Sequence, residues 1–66
     1  MKFEISINTD NSAFVDAVTG EQIPYELARL LRVVAGRVEE GETTGKLRDF
    51  NGNTVGSFGY DDEVEE

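Results

Sequence analysis

The chain contains no cysteine, no histidine and no tryptophan, and only one proline and one methionine. Without cysteine there is no disulfide and no thiolate metal site. Without histidine the commonest zinc ligand and the commonest general base are both missing. The lack of cysteine fits a reducing compartment. No apolar run approaches the roughly 20 residues of a membrane span, and the opening Met1-Lys2-Phe3-Glu4 alternates polar and apolar rather than forming a signal-peptide core. The expectation is a complete intracellular chain with no membrane partner. Bases are also scarce: six against 14 acids, for a formal charge of −8 over 66 residues. That field repels nucleic acid and anionic membrane and attracts a cationic protein surface. It also serves solubility, for which a net charge of roughly 2 to 8 is ordinary in a small domain.

A chain of this length makes one domain and buries only about 60% of the surface its unfolded form exposes, so its stability margin is thin. Residues Lys2 to Asn8 alternate strictly, with Phe3, Ile5 and Ile7 on one face and Lys2, Glu4, Ser6 and Asn8 on the other. That is the period of a half-buried strand. Thr9-Asp10-Asn11-Ser12 ends it through side chains that compete for backbone hydrogen bonds. Ala13 to Val18 fits either a helical turn or a short strand, with Phe14 as its core residue, and Thr19-Gly20 closes it.

A helix is predicted from Pro24, whose fixed φ suits a first turn, to Glu40, where Gly41 supplies the stop. Glu26 complements the positive end of the helix dipole. Leu27, Leu30, Leu31, Val34 and Val38 form one apolar stripe, and Arg29, Arg32 and Arg37 lie off it. Gly36 inside the helix implies close packing against a sheet. Glu39 and Glu40 sit at the negative end of the dipole, where local stability does not account for them.

Lys46 to Phe50 and Asn53 to Tyr60 read as two strands around Asn51-Gly52, a strong hairpin signal. Of two competing turns, the favoured one starts at Asp49, holds Gly52 at positive φ and lets the Asp49 carboxylate bond the turn amides. It places Leu47 opposite Val55, and Phe58 then needs a bulge at Gly56 to rejoin that face. Asp61 to Glu66 carry five acids and no base, which predicts a solvated tail. The expected fold is α+β in the order β-α-β-β, a three-stranded, mainly antiparallel sheet with one helix on one face. It spans 1–60 as a single domain, with 61–66 as an acidic tail.

Nucleophilic catalysis needs a nucleophile with a positioned base. Three serines and five threonines are present, but the only basic candidates, Lys2 and Lys46, lie on short strands facing water. Paired carboxylates need a cleft that one helix and three strands hardly provide. Asp49 to Asn53 fails as a calcium loop, because its sixth position is Thr54 and its twelfth Tyr60. Gly52, Gly56 and Gly59 precede no helix and so form no phosphate loop. The expectation is a protein that is not an enzyme, takes no cofactor or metal and binds no nucleic acid directly. Its acids Glu39, Glu40, Glu42, Asp61, Asp62 and Glu63 are the candidate partner-binding residues.

The stretch Gly45-Lys46-Leu47-Arg48-Asp49-Phe50-Asn51-Gly52-Asn53-Thr54-Val55-Gly56-Ser57-Phe58 resembles the C-terminal hairpin of small acidic proteins encoded in phages, prophages and mobile elements. Glu26 to Arg32, running on to Gly41, looks like their central helix, and Lys2 to Asp10 is similar to their first strand. The chain departs from them at Ala13 to Pro24. The resemblance implies a protein of the host bacterial cytoplasm. Phage proteins of this size and charge include anti-CRISPR and anti-restriction inhibitors, several of which present carboxylates where a host protein expects DNA phosphates. The implied partner is a host protein with a basic nucleic-acid-binding surface, such as a CRISPR surveillance complex subunit. The alternatives are a structural or assembly homodimer built on the exposed sheet face or an edge strand, and a regulator that binds a host protein through the helix face around Arg29, Arg32 and Arg37.

Overall fold

The structure, a computed structural model, describes residues 1–61. The elements are β1 (Lys2–Ile7), α1 (Pro24–Glu39), β2 (Thr44–Arg48) and β3 (Thr54–Asp61). The sheet order is β1-β3-β2, and both pairings are antiparallel. This is the α+β arrangement the sequence predicts, with the last strand inserted between the first two. β2 runs two residues earlier than its apolar pattern indicates and stops at Arg48, because Asp49 already opens the turn.

The core forms where α1 meets one sheet face. Phe14, Leu30 and Leu47 are fully enclosed, and Ala13, Val34, Val55 and Phe58 complete the cluster. Phe3, Ile7, Leu27 and Val38 pack at its margin. Burying a side chain such as Leu30 contributes about 1.5–3 kcal/mol. The helix stripe is narrower than its spacing suggests: Leu31 is 44% exposed, because only the Leu27, Leu30, Val34 and Val38 row faces the sheet. Ile5, although on the core face, is 40% exposed, because β1 is the outer strand on its side. The other sheet face carries the exposed Lys2, Glu4 and Ser6.

The bulge lies one residue before the expected one. Leu47 stands opposite Gly56 and Arg48 opposite Thr54, which leaves Val55 as the extra residue. Val55 and Phe58 therefore both face the core despite their odd spacing. Gly56 marks a close approach: a Cβ there would run into the backbone carbonyl oxygen of Ser6 on β1. Gly36, in contrast, is not a packing glycine. A Cβ built on it meets nothing within 4 Å, since it lies beyond the helix's contact row.

Residues 8–23 are a loop with little regular structure, fastened at both ends. Val15 and Gln22 form an isolated antiparallel bridge, and Ile23 N–H donates to Phe14 O at 2.6 Å. Asp16 Oδ1 accepts from the amides of Val18 and Thr19 at 2.8 and 3.0 Å. These two amides, Thr19 first, hold its carboxyl below the usual range. Ala13 to Val18 is thus neither helix nor regular strand but two turns around one bridge residue.

Candidate functional site

Two buried carboxylates organise the end of the molecule where the hairpin turn, the start of α1 and the 8–23 loop meet. Gly52 N–H donates to Asp49 O at 3.0 Å, Asp49 N–H donates to Asn53 O at 2.9 Å, and Gly52 has φ +88°. This is the turn favoured on sequence grounds. Asp49 Oδ1 accepts from the amides of Asn51 and Asn53, both at 2.9 Å. Its Oδ2 accepts from Asn53 Nδ2 at 3.3 Å and from Asn11 Nδ2 at 2.9 Å. Burial pushes the Asp49 carboxyl up, but the hydrogen bonds from Asn53, Asn11 and Asn51 outweigh it and hold the pKa below the ordinary value.

Glu26 is also buried, at 6% exposure. Arg29 reaches it through two parallel bonds, Nε to Oε1 at 2.8 Å and Nη2 to Oε2 at 2.6 Å. The Arg29 hydrogen bonding, with a smaller contribution from the Phe50 amide, overrides desolvation and keeps Glu26 below the usual carboxylate range. Glu26 is therefore more than a dipole complement: it ties the first turn of α1 to the hairpin. The Arg29 pairing is an i,i+3 contact within the helix, whereas the approach of the Phe50 amide depends on the fold. Beside the pair, Tyr25 and Phe50 are 81% and 65% exposed and flank a groove of about 360 Å³.

The described candidate partner-binding acids, Glu39, Glu40, Glu42 and Asp61, lie at the other end. Tyr60 N–H donates to Thr43 O at 3.2 Å, and Thr44 pairs with Gly59. Glu42 thus precedes, and Asp61 follows, the last rung between β2 and β3. Glu39 and Glu40 end the helix just before Gly41, whose φ is +99°. Glu39, Glu40, Glu42 and Asp61 therefore share one pole. Asp62 and Glu63 lie outside the described residues. Glu42 is partly neutralised, since Arg37 Nε donates to its Oε1 at 2.8 Å. Among the described residues, no ion pair or hydrogen bond engages the carboxylates of Glu39, Glu40 or Asp61. The acids spread over the pole rather than converge: no described group of three or more could hold a metal ion.

The arginines divide. Arg29 is occupied by Glu26 and by Arg48 O at 3.3 Å. Arg37 lies over the Phe58 ring, 5.0 Å from its centroid, and Nη1 donates to Lys46 O at 3.0 Å. Gly45 makes room for it, since a Cβ there would overlap the guanidinium and stand 2.8 Å from the Phe58 ring. Arg32, Lys46 and Arg48 form no ion pair with a described acid. Of the helix arginines, Arg32 alone makes no ion pair or side-chain hydrogen bond among the described residues. No described helix is long and apolar enough to cross a membrane.

Comparison of the chain with family models, with curated proteins and with solved structures gives no match.

Proposed function

We propose that the protein is an inhibitor that docks its acidic pole into a basic nucleic-acid-binding surface of another protein, standing in for nucleic acid. The observation that carries this reading is the gathering of Glu39, Glu40 and Asp61 at one end of the fold with no ion-pair or hydrogen-bond partner for their carboxylates among the described residues. Carboxylates so placed remain available to arginines and lysines that otherwise bind phosphate, and bidentate Arg–carboxylate geometry adds specificity to bulk charge. The acids following Asp61 in the sequence extend the same charge. The resemblance to phage and mobile-element proteins makes a host defence complex, a CRISPR surveillance complex above all, the partner to test, in the bacterial cytoplasm.

The test is capture from a host lysate carrying CRISPR and restriction complexes. Two charge-reversed variants are compared with the parent chain. One carries Glu39→Lys, Glu40→Lys and Asp61→Lys at the pole. The other carries Asp10→Lys and Glu21→Lys at the far loop. The pole variant should lose capture by at least about tenfold while the loop variant keeps it. Equal capture by both would remove the pole from the interface.

A further inference from the structure

The two outer strands of the sheet end differently. In an antiparallel ladder, alternate residues send both backbone groups to the neighbouring strand, and those between send both away. On β2 the outward-facing residues are Thr44, Lys46 and Arg48. The helix arginines occupy two of their carbonyls: Arg37 bonds Lys46 O at 3.0 Å and Arg29 bonds Arg48 O at 3.3 Å. That edge is sealed by side chains. On β1, Asn8 N–H donates inward to Val55 O at 2.8 Å. The inward set is therefore the even-numbered residues, and the N–H and C=O groups of Phe3, Ile5 and Ile7 face outward. Among the described residues, no backbone hydrogen bond reaches them, and β1 has no strand on that side. Ile5, in the middle of this edge, keeps 40% exposure although its rung partner Phe58 is buried.

We infer that a second copy of this chain covers the β1 edge, pairing antiparallel about a two-fold axis at Ile5 to give a continuous six-stranded sheet. The outward residues then match each other: Phe3 meets Ile7 of the second copy, Ile5 meets Ile5 and Ile7 meets Phe3. All of these lie on the core face, so the apolar surface runs on across the junction.

Charge permits this occupant and selects this register. β1 is the neutral strip of an acidic body, because Lys2 and Glu4 pair within it at 3.5 Å. Centring on Ile5 sets Glu4 against Ser6 and Lys2 against Asn8 of the other copy. Moving the axis to Glu4 would set Glu4 against Glu4, and like charges directly opposite are destabilising. The antiparallel pairing also sends the two acidic poles, each beside Lys2 and its rung partner Asp61, to opposite ends of the sheet. Six residues of strand separate one Lys2 from the other, about 20 Å, against a screening length of about 8 Å at physiological ionic strength. The dimer thus hides the open edge without bringing the poles together.

Sedimentation equilibrium of the full chain over a wide concentration range tests this, together with a chemically synthesised chain N-methylated at Ile5. The methyl removes an outward donor and leaves every bond to β3 in place. The parent chain should show twice the monomer mass at high concentration, and its Phe3, Ile5 and Ile7 amides should gain hydrogen-exchange protection there and lose it on dilution. The N-methyl chain and Ile5→Lys should remain monomeric with unchanged circular dichroism. A monomer at every concentration overturns the inference. So does a dimer that survives N-methylation, or one whose β1 amides stay unprotected. A monomer whose β1 amides become protected only on adding a cationic strand-forming peptide assigns the edge to a foreign strand and also overturns it.

Discussion

Asn11 and Asp49, separated by 38 positions in the chain, meet through one hydrogen bond, Asn11 Nδ2 to Asp49 Oδ2 at 2.9 Å. Asn11 Oδ1 simultaneously accepts from Ala13 N–H at 2.8 Å. The contact joins the loop that delivers Phe14 to the core with the turn that closes the hairpin. A single carboxylate thus holds two segments that lack regular structure of their own.

Stability should depend on acid through this carboxylate and through Glu26. Both have pKa values held below the ordinary range in the folded chain. Their contribution is complete above the unfolded carboxylate values, about 3.9 for Asp and 4.3 for Glu. It is lost as the pH falls through the lower, folded values. Relief of self-repulsion near the isoelectric point acts in the opposite sense. Urea midpoints measured from pH 7 to pH 2 should therefore change little at first and then fall. Asp49→Asn should start lower at pH 7 and fall less. A variant whose profile parallels that of the parent would remove Asp49 from the acid response.

Gly36→Ala should stabilise. The added methyl meets nothing within 4 Å, and alanine in a helix interior is favoured over glycine by roughly 0.5–1 kcal/mol. In a domain this small that is a rise of several degrees in Tm, readable by thermal circular dichroism. A fall in Tm would mean that the helix is packed on that side after all.

Gly56→Ala should have the opposite effect. Its Cβ would overlap the Ser6 carbonyl, a backbone atom that can yield only if β1 shifts away from β3. The expected loss exceeds about 3 kcal/mol, in the range of backbone clashes within a core. In so small a domain this should leave little native sheet by circular dichroism or amide exchange. A well-folded Gly56→Ala chain would contradict the close approach of these strands.

Arg37→Ala should cost about 1–2 kcal/mol, since it removes the packing over Phe58, the bond to Lys46 O and the pairing with Glu42. Arg37→Lys should recover only part of this, because an ammonium cannot lie flat on the ring and reach both oxygens. Denaturant midpoints of the two variants, with Glu42→Gln as a control for the ion pair alone, separate the contributions. Full recovery by lysine would reduce the role to charge.

The elements that could be read in the sequence are those with local causes. Pro24 and Gly41 bracket the helix because each acts on its own backbone, and the Asp49 turn follows from acceptors and a glycine within five residues. Phe14 is legible as core because it is the largest apolar side chain in a polar stretch. What was misread depends on contacts between distant segments. Val55 is the bulge residue because β1 approaches at Gly56. Leu31 is exposed because the sheet is too narrow to cover it, and Gly36 is open for a related reason. The burial of Glu26 requires the hairpin at Phe50 to meet the first turn of α1, although its ion-pair partner Arg29 is local to the helix. The acidic pole was half legible: the helix-end acids stand out as unhelpful to the helix, while their proximity to Asp61 depends on β3 lying between β1 and β2.

The most direct test of the central claim is a binding titration between this protein and its captured partner, with and without the partner's nucleic acid, at low and high salt. An acidic pole that replaces phosphate predicts mutual exclusion with nucleic acid and an affinity that drops steeply as salt rises. A ternary complex in which protein, partner and nucleic acid bind together, with affinity indifferent to salt, would contradict it.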